Sequence, residues 1–355
     1  MVAFRIFGKH TDLSSFGEVS INIPGVENKK RVFSGVCFRE YNPSGTKVVR
    51  DFQKFPLLVP NEKQIKKYIN GFYDPRLSKI GNRYLLTVVG VNHDEYNLPE
   101  KFRHNFQIPL IGFNHTLLFI TNNFEHFKYF GKIGPKEYDK NMFFLNKKIK
   151  HQDKRWYVLF HRYKNSVQIR LIKKLNELKD VHAWNKYIKN YKKYILISPK
   201  YSWEGVTKHY PGQVGGVSSP IPFQYEKSDP YRLNLLHLNL RLPTYYLMFY
   251  NSVIGSPDNP AWGRSVGAII FSENAPSAET PFNIISRSPT AILEPVLSID
   301  KHKENGNIVY GTGTLVSNDG KYIDLYFGAG DKYPAIARFN AEKLINYLMT
   351  NCKNL

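Results

Sequence analysis

Four stretches of this chain open alike, with a polar residue, an aromatic, and then an apolar run. They are Arg83-Tyr84 before LLTVV, Arg155-Trp156 before YVLF, Thr244-Tyr245 before YLMFY and Lys321-Tyr322 before IDLYF. The head aromatics lie 72, 89 and 77 residues apart. A polar connection and an earlier apolar run precede each, and a further run follows each, at His115, Val167, Val266 and Pro334. Short runs of this kind, bounded by Gly, Pro, Asn and Asp, read as β-strands rather than helices. With the run RVFSGVCFREYN that starts at Arg31, the chain holds five such units. Recurrence at this period suits propeller blades carrying insertions. The expected fold is therefore all-β, a single five-bladed β-propeller over residues 1–355; a pair of two-sheet sandwiches is the alternative for this length. Helices are expected only at 62–69, around 175–184, and near the end at 341–348. The Gly- and Pro-rich stretch from Tyr210 to Pro222 reads as a functional loop between blades.

Composition removes several other classes. Apolar residues make up 42% and aromatics 15%, enough for a large core and too much for a disordered chain. Cys37 and Cys352 lie near opposite ends, so neither a disulfide framework nor a zinc knuckle is expected. Both read as buried, reduced thiols in a reducing, cytoplasmic setting. No signal-peptide pattern opens the sequence and no apolar run is long enough to span a bilayer. The sequon Asn114-His115-Thr116 is thus expected to stay unmodified. His93, His104, His115 and His126 recur at intervals of eleven, which matches no metal-ligand spacing, so no metal is expected.

The net charge is +21, and residues 128–200 contribute twenty Lys or Arg against five Asp or Glu. Such a field attracts phosphates, nucleotides, anionic glycans or nucleic acid. A solvated Lys-rich face in a chain rich in Lys, Asn, Ile and Tyr accounts for it equally well. No helix-turn-helix, RNP-type or Cys/His-finger pattern accompanies the charge, which leaves nucleic acid as a minor alternative.

Chemistry concentrates where strands begin and end. Asp74-Pro75-Arg76-Leu77 follows Gly71-Phe72-Tyr73, and a proline at a strand entry is expected to hold the preceding Asp74 extended, with its carboxylate aimed across the strand end. Such a carboxylate can act as a general acid, or it can be an ordinary Asp-Pro turn paired with an arginine. Other units carry polar signatures at the corresponding place. The third has Lys140-Asn141-Met142-Phe143-Phe144 and then His161-Arg162; the fourth has Gly215 through Ile221 and then Tyr250-Asn251; the fifth has Gly311-Thr312-Gly313 and then Tyr326 through Asp331.

In their order along residues 30–340 these signatures resemble the β-mannoside phosphorylases of glycoside hydrolase family 130. The resemblance implies a five-bladed propeller with its site in the axial channel, acting on β-linked mannosides with inversion. It assigns the acid to Asp74 and the Asp that grips the sugar to Asp331. Further sugar contacts fall on Tyr73, Arg76, Asn251 and Trp262, and phosphate contacts on Arg39, Lys140, Asn141 and Arg162. Three positions depart from the family pattern: Tyr73 stands for Glu, Asn141 for Asp and Asn251 for His.

An inverting phosphorylase needs one acid for the departing oxygen and a cationic pocket for the phosphate nucleophile, with no second catalytic carboxylate. Lys140 and Arg162, with Arg39, would supply that charge, and their ends are expected to converge opposite Asp74. Phosphate or a sugar phosphate is then a substrate, and no cofactor is expected. A transferase using a nucleotide sugar such as GDP-mannose is one alternative. An inverting hydrolase is another, with Asp324 or Asp331 as its base, and a non-enzymic glycan- or nucleic-acid-binding propeller is the last. Trp262 and Tyr210, in Gly/Pro-rich loops, are the aromatics placed to stack on a sugar. The partner is a mannose-containing glycan, and a homo-oligomer is compatible with the sequence.

Overall fold

The computed structural model describes residues 2–8, 33–42, 47–51, 58–59, 72–91, 114–135, 140–226, 229–235, 244–254, 263–273, 280–302, 306–330 and 332–352. The expected helix at 62–69, His93, His104, Trp262 and Asp331 lie outside these residues. Among the described residues the chain is built from strands, with α-helices at Val181–Lys189 and Ala341–Asn351 and a 3-10 turn at Leu175–Lys179. It divides into two compact units, residues 1–142 with 176–185, and residues 143–175 with 186–355.

The first unit contains two antiparallel sheets. One runs β1 (Val2–Gly8), β2 (Phe33–Tyr41), β3 (Val48–Arg50). The other runs β4 (Phe72–Ile80), β5 (Arg83–Val91), β6 (Asn114–Thr121), β7 (Lys128–Ile133). Alternation turns one face of each strand inward. Val36, Phe38, Phe72, Leu86, Val88, Leu117, Phe119 and Phe124 form the core there.

A third sheet has the order β12 (Ile195–Ile197), β11 (Ser166–Ile172), β10 (Lys154–Tyr163), β8 (Lys140–Phe144), with β9 (Ile149–His151) also paired to β10. The fourth sheet is ten-stranded. Its main path runs β15 (Asp229–Asn234), β14 (Ile221–Glu226), β16 (Tyr245–Ile254), β17 (Gly263–Ser272), β20 (Gly306–Val316), β21 (Tyr322–Ala329), β22 (Tyr333–Asn340). Off this path, β13 (Gln213–Gly216) pairs with β16, β18 (Asn283–Arg287) with β17, and β19 (Lys301–His302) with β20. The C-terminal helix starts at Asn340, whose side chain accepts from the Lys343 N–H, and buries Leu344, Ile345, Leu348 and Met349.

The four aromatic-headed runs are β5, β10, β16 and β21, each lying between an earlier and a later antiparallel neighbour. Their head residues close strand ends. Tyr84 packs on Phe124 at 4.5 Å between ring centres, Tyr245 on Phe223 at 5.6 Å, and the Trp156 indole donates to the His151 carbonyl at 2.9 Å. Arg338 lies over Tyr322 at 5.5 Å. An amphipathic ring suits such a position because one edge packs while the other meets water.

Candidate functional site

Asp74 departs from the extended conformation expected of it. In the pairing of β4 with β5, Tyr73 faces Val89 and Arg76 faces Thr87, so the Asp-Pro pair carries one residue more than the opposing strand. That is a β-bulge, and Asp74 adopts φ 46°, in the left-handed region. The proline does restrict the preceding residue, but a bulge requires a re-aimed backbone, and Asp is among the few residues that tolerate this conformation. The half-buried Asp74 carboxylate comes 4.0 Å from the Lys140 ammonium. Asn141, next along β8, is also left-handed at φ 57°. Thr87, opposite Arg76, donates its hydroxyl to the Met142 carbonyl. The bulge and the Lys140–Met142 segment are therefore tied to one another through β5.

Around this pair the other expected residues have distinct settings. Tyr73 is half-buried beside the bulge. Arg76 is only 2% exposed, with Nη1 donating to the Pro75 carbonyl at 3.0 Å, so its guanidinium lies behind the turn that carries Asp74. Arg39 is engaged by Asp51, Nε to Oδ1 at 2.7 Å. Burial works against that guanidinium's charge, yet Asp51 and Tyr41 raise its pKa above the ordinary value.

In the second unit, Arg162 lies half-buried near the end of β10. The hairpin tip that follows is fixed to β13. Asn165 accepts from the Val214 N–H at 3.0 Å through its carbonyl and from Gln213 Nε2 at 3.2 Å through Oδ1. Tyr210, just ahead of β13, has a phenol pKa raised by burial, with Arg162 and Arg264 acting in the opposite direction.

Asn251 has a backbone role. Its Nδ2 donates to the Gly311 carbonyl at 3.0 Å and its Oδ1 accepts from the Gly311 N–H at 2.7 Å. A Cβ at Gly311 would approach Val217 to 2.7 Å, which explains the glycine. Asp324 is 4% exposed and held by both arms of Arg338, Oδ1 by Nε at 2.7 Å and Oδ2 by Nη2 at 2.8 Å. Each of its two oxygens is thus engaged by the same guanidinium.

No family model and no curated protein matches the chain. Among solved structures, β-1,2-mannobiose phosphorylase from Listeria innocua superposes with a TM-score of 0.56 at 18% identity, over 89% of this chain and 70% of that one. A member of the GH130 family of mannoside phosphorylases, in work describing hydrolases of β-1,2-mannosidic linkages in Candida mannan, gives 0.52 at 16% identity, over 88% and 76%. A glycosyl hydrolase from Bacteroides ovatus gives 0.52 at 15%, over 89% and 77%. This chain has the fold of the mannoside phosphorylases. That fold is shared by phosphorylases and hydrolases alike, so the choice between them falls to the side chains.

One residue of interest escapes the sequence reading. Arg264 is the second residue of β17, directly after Gly263. The available signal is its position at a strand head behind a Gly- and Pro-rich stretch of sequence.

Proposed function

We propose that the chain is an inverting β-mannoside phosphorylase of glycoside hydrolase family 130, exchanging a mannosyl unit between a β-mannoside and inorganic phosphate. The likeness of fold supports the family. The observation that carries the reaction is the left-handed bulge at Asp74, which aims a half-buried carboxylate at Lys140. Strained backbone of this kind costs of order 1–3 kcal/mol and is concentrated at functional sites. Asp74 acts as the general acid for the departing oxygen in phosphorolysis and as the base in the reverse, synthetic direction. On the resemblance, Arg162 is the guanidinium that takes the phosphate nucleophile. Lys140 orients the Asp74 carboxylate, and Arg76 supports its turn from behind. The resemblance gives Asp331 the grip on the sugar, and the sequence offers Trp262 for stacking on it; both lie outside the described residues.

In this reading the five expected blades are the five antiparallel groups. β1–β3, β4–β7 and β8–β12 are separate sheets. β13–β18 and β19–β22 are joined through the parallel pairing of Gly263 and Arg264 with Asn307 and Ile308. The engagement of Asp324 by Arg338 favours the phosphorylase over a hydrolase using that carboxylate as base. The test offers the protein either mannose 1-phosphate or GDP-mannose with a panel of mannose acceptors. Phosphate release from the first supports the reading, and GDP release from the second replaces it with a nucleotide-sugar transferase.

A further inference from the structure

Large apolar side chains on a folded surface are ordinary when scattered and informative when they cluster. Between β18 and β19, Val296, Leu297 and Ile299 are 74%, 56% and 43% exposed, and no other large apolar side chain among the described residues is as open as Val296. The backbone beneath them is fixed at both ends: Leu293 bridges Val266 in β17, and Lys301 pairs with Asn307 in β20. Between these anchors the Leu297 N–H donates to Asp300 Oδ2 at 2.8 Å and the Asp300 N–H to the Leu297 carbonyl at 3.0 Å, with the Asp300 side chain buried. This closed turn packs on the end of β21. Gly330 has φ 58°, its N–H donates to the Ile308 carbonyl at 2.9 Å, and a Cβ there would come 2.4 Å from the Ile299 carbonyl oxygen. Three aliphatic side chains are thus held out on a turn that touches the backbone of Gly330, the residue before Asp331 in the sequence.

We infer that this turn is a subsite for an alkyl chain carried by the mannoside, so that the substrates include β-mannosides of aliphatic alcohols. The inference rests on the phosphorylase reading, which gives Asp331 the sugar, and it deepens that reading by naming the class of aglycone. The composition of the patch chooses the occupant. Val, Leu and Ile offer neither a ring face for a sugar to stack on nor a polar edge, so what they bury is alkyl surface. Its size chooses too: a stable protein partner takes about 20 to 30 residues a side, and three side chains on one turn suit a single chain rather than a second copy of the protein. Closure of the turn through Asp300 leaves little backbone to be ordered when a ligand settles on it, so the apolar contact is realised as affinity.

Calorimetric titration of the whole protein with methyl and hexyl β-mannoside tests the subsite, because the two ligands differ only in the alkyl chain. Hexyl β-mannoside is expected to bind at least tenfold tighter, about 1.4 kcal/mol, which corresponds to burying about two of its extra methylenes. In the double variant Val296→Ser with Leu297→Ser the ratio of affinities should fall to within about twofold. Both side chains already face water, so the melting temperature should hold. A ratio near one in the unaltered protein, or a tenfold ratio that survives in the variant, would overturn the subsite and leave the phosphorylase reading intact. A dimer of the unaltered protein in analytical ultracentrifugation that dissociates in the variant would overturn it as well, giving the face to a second copy of the chain. Failure of both mannosides to bind would overturn the subsite and the phosphorylase reading together.

Discussion

Asp74 combines two constraints that pull apart: it precedes a proline, and its φ is 46°. The sequence shows the first and suggests an extended residue, whereas the second depends on the strand opposite, which has one residue fewer between Tyr73's partner and Arg76's. A bulge belongs to a pair of strands, so one strand's letters could indicate the Asp and not its backbone. The same holds for Asn251, whose spacing marks a polar strand end but cannot reveal that Gly311, sixty residues on, consumes its amide. Asp74→Asn keeps a side chain that tolerates the left-handed region and removes the transferable proton. Turnover should fall by about 10² to 10⁴, with the melting temperature and sugar binding preserved; turnover near the unaltered level would remove Asp74 from the role of acid. Cys37 gives a second prediction at this scale. Burial pushes its thiol from 9.0 up to about 12, with Arg39 opposing. Below pH 9 the thiol is protonated in folded and unfolded chains alike. Above it, only the unfolded chain ionises until the folded value is reached, so stability falls by up to about 1.4 kcal/mol per pH unit. Urea unfolding at pH 8.5 and pH 10 should show this slope, and Cys37→Ala should flatten it; identical slopes would show that the thiol does not control it.

At the scale of elements, the aromatic-headed runs were legible because alternation and turn residues are local properties, and they recur as β5, β10, β16 and β21. The stretch from Tyr210 to Pro222, expected as one Gly/Pro-rich loop, instead contains β13 (Gln213–Gly216) and the first residues of β14 (Ile221–Glu226), because strand pairing with β16 is a property of two segments and not of one. The chain leading into that stretch is fixed by a buried cluster drawn from distant positions. Glu204, fully buried, accepts from Arg287 Nη2 at 2.5 Å, from the Tyr250 hydroxyl at 2.7 Å, and from the N–H groups of Lys200 at 2.6 Å and Tyr201 at 3.0 Å. Arg287 also donates to the Ser198 carbonyl at 2.8 Å. Burial raises the Tyr250 phenol pKa, opposed by Arg287 and reinforced by Glu204. Because 83 residues separate Glu204 from Arg287, no window of sequence reveals the pair. Removing one partner leaves a buried charge, and Arg287→Met should cost about 3 to 5 kcal/mol in urea denaturation. The double variant Glu204→Gln with Arg287→Met should recover much of that loss; equal losses in both would mean that the ion pair is not what matters.

For the molecule as a whole, two features of the sequence point in different directions. The charge excess between residues 128 and 200 suggests a polyanion partner, whereas the order of motifs suggests a mannoside enzyme. Lys173, Lys174, Lys186, Lys189, Lys192 and Lys193 are all exposed in the structure, as expected of a solvated face. Their attraction for ligands acts through screened, long-range forces. Replacing Lys192 and Lys193 together by Ala should leave kcat/KM within about twofold at 0.15 M salt, and a tenfold loss would give that face a direct role. The fold class was readable from strand periodicity, and no helix among the described residues is long and apolar enough to cross a membrane. The division into two compact units was not readable, since it depends on which strands pair rather than on composition. The central claim is phosphorolysis with inversion, and proton and phosphorus NMR of one reaction mixture tests it most directly. With β-1,2-mannobiose and inorganic phosphate, the account predicts α-mannose 1-phosphate and free mannose in equal amounts, with no cleavage when phosphate is omitted. Mannose released at the same rate in phosphate-free buffer, with no sugar phosphate formed, would contradict it.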